Sequence, residues 1–322
     1  MLQTGQVARL APRASIAPAL ACLLAGGLLT LGYALFGTPI TLLAAGLVVA
    51  TAAVAASGGL LAATSVFVSP VPALLLCALL CAVMCTTHAA VERRMGRRWL
   101  QQLANTRLVT IESMAAVAET RHPETGAHIK RTQHYVKAIA EQLQSQGLFG
   151  DVLDDAYIAL LYSSAPLHDI GKVGMPDHIL LKPGRLTPEE LVHMRKHASC
   201  GRDIIQNLAL GIDGDNFLRI AGEIAATHHE KWDGSGYPLG LAGDDIPLSG
   251  RIMAVADVYD ALISKRCYKR AFPHGVAMSL MQVERGISFD PRVFDAFRAI
   301  EGQIFEIANT WRDDQEQLPA IS

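Results

Sequence analysis

The longest uncharged stretch of the chain constrains its fold more than any other feature. From Ala14 to Val91 the sequence contains no Asp, Glu, Lys or Arg. A charged side chain at the centre of a bilayer costs roughly 2.5–3.5 kcal/mol on insertion scales, so such a gap is typical of membrane-spanning segments. A soluble core of this length would be interrupted by polar loops. The sequence therefore predicts a membrane anchor over residues 1–90.

Glycine and proline divide this apolar region into about three predicted transmembrane helices. They cover Ile16–Phe36, Ile40–Leu61 and Ala73–Ala89, and each is near the ~20 residues that a crossing helix needs. A cleaved signal peptide is the alternative interpretation of residues 1–36. In that case the later spans would still hold the chain in the membrane.

The arginines beside the apolar region predict its orientation. Four of them follow the third span directly: Arg93, Arg94, Arg97 and Arg98. Because basic residues stay on the cytoplasmic side, the C-terminal part is expected in the cytoplasm and the N-terminus outside. Arg9 and Arg13 conflict with this arrangement, and two or four spans would remove the conflict.

The part of the chain after residue 91 has the composition of a cytosolic domain. It holds all 30 acidic residues and 26 of the 28 basic ones, a formal charge of 26 − 30 = −4. This balance argues against binding to a nucleic-acid polymer, which requires a basic surface. The six cysteines form no CxxC pair, as expected of a reduced compartment.

Residues 91–122 are predicted to form a linker helix. Apolar residues recur there at steps near three and four, at Leu100, Leu103, Leu108, Ile111, Ala115 and Ala118. Two interpretations are open. The helix packs on its own domain, or it forms a parallel coiled coil that joins two membrane-anchored subunits in a homodimer.

Helical patterns continue to about residue 310, and alternating β-branched runs are scarce, so residues 123–310 are predicted to be all-α. The predicted helices cover Gly126–Gln146, Asp154–Ser163, Pro188–Gln206, Asn216–His229, Arg251–Ser264 and Pro273–Arg285. Residues 311–322 are predicted to be a polar tail.

Short clusters of His, Asp and Glu lie near the ends of these helices. They are Glu124 with His128, the pair His168-Asp169, His197, the pair His228-His229, and Asp257 with Asp260. A buried carboxylate is costly without a partner, and a metal ion is a natural one. Each cluster alone has an ordinary explanation as a surface pair or a hydrogen bond. Together such ligands suit Fe, Mn or Zn, and two ions about 3.5–4 Å apart can activate water at a phosphate ester.

Spacing predicts further details of this site. On a helix, His228 and His229 would diverge by about 100°, so they are expected to bind two different ions. Two glycines and a proline in Asp233–Pro238 predict a rigid loop that places Tyr237 near the site. Lys172, three residues after Asp169, is positioned to neutralise a phosphate oxygen.

Two other histidines serve as comparisons. His178 and His193 occur in similarly polar surroundings but belong to none of the clusters. Both are expected to be ordinary surface residues.

These motifs resemble those of the HD-GYP domain, a branch of the HD phosphohydrolase superfamily. The resemblance covers about Thr110 to Ile307. The matching strings are ETGAH (124–128), LHDIGKVGMPD (167–177), MRKH (194–197), HHEKWDGSGYP (228–238) and ADVYDAL (256–262), followed by SKRCYK (264–269). Cys267 stands where the family commonly has a proline, which puts the tightness of that loop in doubt.

The resemblance implies an all-α HD-type helical phosphohydrolase domain, here preceded by a transmembrane helical region. Members hydrolyse cyclic di-GMP to pGpG, often onward to GMP, at two or three divalent metal ions that are usually Fe or Mn. By motif position, the metal ligands are Glu124, His128, His168, Asp169, His197, His228, His229 and Asp257. The presence of Glu124 resembles members with three ions.

The resemblance also implies roles at the substrate. Asp169 bridges metal ions and is catalytic together with Lys172. The substrate-binding residues by motif position are Lys172, Tyr237, Asp260, Arg266 and Lys269. We therefore expect a membrane-anchored phosphodiesterase of a bacterial inner membrane with its catalytic domain in the cytoplasm. The alternatives are a non-catalytic module that binds cyclic di-GMP or a protein partner, and an enzyme for another cyclic dinucleotide or a nucleoside phosphate.

Overall fold

A computed structural model describes residues 69–119, 126–209, 216–265 and 271–311, with isolated positions between 46 and 61. The predicted span Ile16–Phe36, most of Ile40–Leu61 and residues 312–322 lie outside the described residues. The chain forms two compact units, Met1–Ala104 and Asn105–Ser322.

The described residues form α-helices and short 3-10 turns, and they contain no β-strand. The helices are α1 (Val71–Glu119), α2 (Gly126–Ser145), α3 (Asp155–Ser164), α4 (Asp177–Leu180), α5 (Pro188–Ala209), α6 (Asn216–Thr227), α7 (Leu248–Ile263), α8 (His274–Val283), α9 (Pro291–Ala299) and α10 (Glu301–Thr310). The 3-10 turns are Ala165–Leu167, Ile170–Gly174 and Gly243–Asp245. The predicted all-α fold is confirmed, and most predicted helix ends lie within three residues of the observed ones.

Helix α1 joins the third predicted span and the predicted linker helix in one continuous element of 49 residues. No proline occurs between Pro72 and the end of this helix, so nothing interrupts its backbone hydrogen bonds. By length and composition, its stretch Leu74–Ala118 is the one helix among the described residues that is long and apolar enough to cross a membrane.

The two halves of the predicted linker differ in burial. Ile111 and Ala115 are only 7% and 2% exposed, and they pack in a cluster with Ile129 from α2. Leu100 and Leu103 are 69% and 67% exposed. The C-terminal half of the linker therefore packs on its own domain, as the first interpretation predicts. The homodimer stays a prediction for the other half.

The core of the second unit is built from α2, α3 and the helices α6 to α10. Its largest fully buried side chains include Tyr135, Tyr259, Phe294 and Phe297. Tyr135 of α2 meets Tyr259 of α7 edge to face, with ring centroids 5.3 Å apart. Burial of such large rings stabilises the packing of these helices. The core thereby fixes the relative positions of the helix ends that hold the polar clusters.

Gly171 allows one of these clusters to approach helix α5. A Cβ atom at this position would lie 2.0 Å from the backbone oxygen of His197 and 2.5 Å from the backbone nitrogen of Gly201. Backbone atoms cannot move aside as a flexible side chain would. Only glycine therefore lets the turn Ile170–Gly174 lie against the helix that holds His197.

We expect Gly171→Ala to lower the free energy of unfolding by about 1–3 kcal/mol or more, because the added methyl group overpacks a backbone contact. Gly302→Ala is the matched control. Its Cβ would meet nothing within 4 Å in helix α10, so helix propensity predicts a gain of about 0.5–1 kcal/mol. Thermal unfolding of the two variants measures the difference, and equal midpoints would contradict this account of Gly171.

Candidate metal centre

Seven of the eight predicted ligands converge in two adjoining groups. The first contains Asp169, His197, His228 and His229, and the second contains His128, His168 and Asp257. Within each group the potential ligand atoms lie within 4.8 Å of one another. The eighth, Glu124, lies outside the described residues.

Helix ends and turns bring these side chains together. His128 lies in the first turn of α2, and Asp257 lies in the last two turns of α7. His168 and Asp169 occupy the junction between two 3-10 turns, and His228 with His229 follows directly after α6. The first and last of these ligands, His128 and Asp257, are 257 − 128 = 129 residues apart in sequence, so only the helix packing makes them neighbours.

Three of the histidines are held by hydrogen bonds within their own turn. The Nδ1 atoms of His168, His197 and His228 lie 3.0, 2.7 and 2.9 Å from backbone oxygens three or four residues earlier. A carbonyl can only accept, so each Nδ1 carries the proton. This bond leaves the Nε2 lone pair available for a metal ion.

The potential metal-ligand atoms that face each other have no hydrogen-bond partner. Oδ1 of Asp169, Nε2 of His197 and Nε2 of His228 are buried and unsatisfied. Nε2 of His197 is 3.2 Å from Oδ1 of Asp169, but both atoms are acceptors and form no hydrogen bond. Buried polar atoms without a partner are rare and costly, and a divalent cation would satisfy all three together. The residues present therefore fit a metal site.

Asp169 lies between the two groups. Its Oδ1 faces His197 and His228 of the first group, at 3.2 and 3.7 Å from their Nε2 atoms. Its Oδ2 lies 3.2 Å from Nε2 of His168, a member of the second group. One carboxylate thus offers an oxygen to each group, which is the geometry that a bridging ligand requires.

Shifted pKa values keep the ligands of the first group in the protonation states that bind a metal ion. Burial raises the pKa of Asp169, but the charges of Lys172 and His168 outweigh it and hold that pKa well below its ordinary range. Burial lowers the pKa of His228 to about 4. Burial, with His228 beside it, also lowers the pKa of His229 well below its ordinary value. At neutral pH the carboxylate is therefore charged and these two imidazoles are neutral.

The expected divergence of His228 and His229 is not observed, and their assignment to different ions stays a prediction. Their ring centroids are 4.0 Å apart, and both belong to the first group. The prediction assumed a helix through His229, whereas α6 ends at Thr227. The backbone N–H of His228 still bonds to Ile224, four residues earlier, whereas that of Glu230 bonds to Thr227, three residues earlier. The turn therefore tightens at His229, and the regular angle of about 100° between successive helical residues no longer applies there.

Lys172 and Tyr237 lie at this centre, as predicted. Nζ of Lys172 is 2.7 Å from Oδ2 of Asp169. The Tyr237 ring stacks on His229 with centroids 4.7 Å apart, and the guanidinium of Arg195 lies 5.0 Å from its centroid. Burial, with Asp169 and Asp257 nearby, raises the pKa of the Tyr237 phenol beyond its ordinary range, so it remains protonated. Sequence reasoning missed Arg195.

The substrate-binding role assigned to Asp260 is corrected by the structure. This carboxylate is only 1% exposed, and both of its oxygens already accept hydrogen bonds from Arg131. Oδ2 also lies 2.7 Å from Nδ1 of the ligand His128. Burial would raise the pKa of Asp260, but His128 and Arg131 lower it to about 2. Asp260 therefore lies behind a metal ligand and has no exposed face for a substrate.

Glu230 is a second residue whose role sequence reasoning missed. It is buried, and its two carboxylate oxygens accept the backbone N–H groups of Leu239 and Leu241 at 2.7 and 3.1 Å. These bonds close the loop that presents Tyr237. Its position directly after His228 and His229 was the sequence feature that could have indicated a role at this site. The predicted phosphate ligands Arg266 and Lys269 lie outside the described residues.

Comparison with known families decides which fold this is. The model of a family described as "HD domain" matches residues 100–293, which is more than half of the chain. The chain belongs to the HD domain family. The resemblance drawn from the motifs is thereby confirmed, and His128, His168, Asp169, His197, His228, His229 and Asp257 all lie in the matched segment.

The chain is also similar to individual curated relatives and solved structures. A "Cyclic di-GMP phosphodiesterase" of Vibrio cholerae is 53% identical over 212 residues, covering 66% of this chain and 43% of the relative. A "3'3'-cGAMP-specific phosphodiesterase 2" of Vibrio cholerae is 41% identical over 185 residues, covering 58% and 33%. The solved structure of an HDG"Y"P protein from Bdellovibrio bacteriovorus is 18% identical, covers 62% of each chain and has a TM-score of 0.42. The chain thus spans less than half the length of these curated relatives.

The two comparison histidines lie away from the metal centre of the HD domain. His178 and His193 are both exposed, as predicted. His193 is four residues before the ligand His197 in the same helix, α5. It is therefore a matched control for that ligand.

We expect His197→Ala to lower the metal content of the purified chain by about one ion, because it removes a buried Nε2 that faces Asp169. His193→Ala removes the same side chain from the surface and should leave the content unchanged. Elemental analysis of both variants, dialysed against the same metal buffer, measures the effect. Equal metal content in the two would remove His197 from the ligand set.

Proposed function

We propose that the chain is a metal-dependent phosphodiesterase that hydrolyses cyclic di-GMP. The observation that carries the proposal is the Asp169 carboxylate, which directs one oxygen toward each of two groups of histidines. Two metal ions held by these groups would supply an activated water and would stabilise charge on a phosphate ester. The name of the Vibrio cholerae relative, 53% identical over 212 residues, supports cyclic di-GMP as the substrate.

The residues of this chain would act as follows. Lys172 places its ammonium group beside Asp169, where it would stabilise the charge that grows on the phosphoryl oxygens. The Tyr237 phenol, which remains protonated, would border the guanine base. Arg266 and Lys269 would add positive charge at the second phosphate, and their place in the SKRCYK string supports that role.

The reaction products and the metal belong to the same proposal. The first product would be the linear dinucleotide pGpG, with further hydrolysis to GMP. The nitrogen and oxygen ligands would hold Fe or Mn, because imidazole and carboxylate together suit these ions. A third ion would use Glu124, by its place in the ETGAH string.

We expect the double variant His168→Ala/Asp169→Ala to lose at least about 100-fold in hydrolysis of cyclic di-GMP, because it removes the bridging carboxylate and a ligand of the second group. The assay uses the full chain in detergent, loaded with Mn(II) or anaerobic Fe(II), and chromatography separates pGpG from GMP. His193→Ala should retain wild-type turnover. A double variant that hydrolyses at the wild-type rate would contradict the site assignment.

The same assay separates two other candidate functions. Relatives named as 3'3'-cGAMP-specific phosphodiesterases, one of them 41% identical, favour 3'3'-cGAMP as an alternative substrate. Parallel time courses and competition between the two cyclic dinucleotides compare their kcat/KM values. A non-catalytic signalling module would bind without turnover by the wild-type chain. The intact set of potential ligands argues against such a module.

We further propose that the first unit anchors this domain in a bacterial inner membrane, with the catalytic part in the cytoplasm. The uncharged stretch Ala14–Val91 and the apolar helix Leu74–Ala118 support the anchor. The four arginines between Arg93 and Arg98 support the orientation. Exposed Leu100 and Leu103 support a homodimer through this half of α1.

We expect the full chain to sediment with bacterial membranes and to resist extraction by carbonate, because spans of about 20 apolar residues anchor a chain stably. Leu100→Cys is expected to form disulfide-linked dimers in the membrane, since coiled-coil partners place equivalent positions side by side. Arg107→Cys is the comparison variant. If Leu100→Cys remains monomeric under oxidation, that result argues against the dimer. A fully carbonate-soluble chain would argue against the anchor.

A further inference from the structure

The ligand His128 is held differently from the other histidines of the centre. His168, His197 and His228 each bond through Nδ1 to a backbone oxygen of their own turn. His128 instead lies with Nδ1 2.7 Å from the Asp260 carboxylate, 132 residues away. Among these four rings, the orientation of His128 alone depends on a side chain from another helix.

Arg131 holds that carboxylate in place. Its Nε donates to Oδ1 of Asp260 at 2.6 Å, and its Nη2 donates to Oδ2 at 2.9 Å. This two-point contact fixes the plane of the carboxylate as well as its position. Because the arginine donates to both oxygens, Asp260 acts as an acceptor toward His128, whose Nδ1 therefore carries the proton. The Nε2 atom of His128 then points to Nε2 of His168, 3.4 Å away.

Arg131 also bonds to two other parts of the domain. Its Nη1 donates to the backbone oxygen of Trp311, at the end of α10, at 2.8 Å. Its Nη2 donates to Oγ of Ser264, at the end of α7, at 2.9 Å. The guanidinium is thus fixed by α7 and α10, and its side chain is only 4% exposed. A residue so constrained transmits a fixed geometry to Asp260.

We propose that Arg131 is a positioning residue for the second metal group, acting through Asp260 on the ring of His128. The first group does not depend on it, because His197 and His228 are oriented by their own backbone. Loss of Arg131 would therefore weaken one ion selectively. This inference rests on the proposed metal centre, and it is independent of which cyclic dinucleotide is the substrate.

Arg285 offers a matched control. It contacts Asp295 with the same two-point geometry, Nε to Oδ1 at 2.7 Å and Nη2 to Oδ2 at 2.6 Å. Both of these side chains are substantially exposed, at 39% and 52%. Arg285→Gln therefore breaks an arginine–carboxylate pair without touching any residue of the metal centre.

The experiment is Mn(II) titration of the metal-depleted full chain in detergent, followed by calorimetry and by electron paramagnetic resonance. Arg131→Gln should bind one ion about 10–100-fold more weakly, as is typical when the partner of a metal ligand is lost. The remaining binding should match the wild type. Arg285→Gln should match the wild type throughout. His128→Ala should reproduce the loss, and the double variant His128→Ala/Arg131→Gln should lose no more than His128→Ala alone.

Two results would overturn the proposal. One is wild-type Mn(II) binding by Arg131→Gln, and the other is equal weakening of every ion in a variant whose circular dichroism is unchanged. If Arg131→Gln does not fold, Arg131→Lys replaces it. Lysine keeps the charge but lacks the planar fork, so it should still weaken one ion, and wild-type binding by this variant would equally overturn the proposal.

Failure of the proposed function would look different from failure of this inference. A wild-type chain that binds Mn(II) but hydrolyses no cyclic dinucleotide would contradict the phosphodiesterase alone. If Arg131→Gln keeps wild-type turnover and binds every Mn(II) ion as tightly as the wild type, only the positioning role of Arg131 is contradicted.

Discussion

The buried carboxylate of Asp169 is the interaction on which the rest of the site depends. Its Oδ1 meets the Nε2 atoms of His197 and His228, and all three atoms are buried acceptors without a hydrogen bond. Such an arrangement costs free energy in the folded chain unless a cation joins the atoms. Lys172 offsets part of this cost on the other carboxylate oxygen. The helical core thus holds a cluster whose unsatisfied atoms fit divalent metal ions.

The domain orients its metal ligands by two different physical means. Local means act within one turn, where backbone oxygens fix the rings of His168, His197 and His228. Tertiary means act across the domain, where Asp260 and Arg131 fix the ring of His128. A histidine ring fixed by its own backbone keeps its orientation when helices shift slightly. A ring fixed by a side chain of another helix moves with that helix. The two metal groups should therefore differ in their sensitivity to mutations in the surrounding helices.

Two expectations about the direction of side chains failed. His228 and His229 were expected to diverge because a helix was extended through them, and that helix ends at Thr227. Asp260 was expected at the substrate by its motif position. The structure turns it toward Arg131 instead. The direction of Asp260 depends on a helix distant in sequence, and that of His229 depends on where α6 ends. Residue spacing contains neither.

The sequence by itself determined the helical class, most helix positions and seven ligands that the structure brings together. The helix positions follow from periodic apolar residues, and the ligands follow from short motifs that resemble those of the HD-GYP domain. Both are properties of local stretches. Only the tertiary structure decided that Asp169 faces both groups, that Gly171 must lack a Cβ and that Arg131 stands behind His128. These features arise where helices distant in sequence meet. Their geometry is set by the packing of the core, which no single stretch of residues specifies.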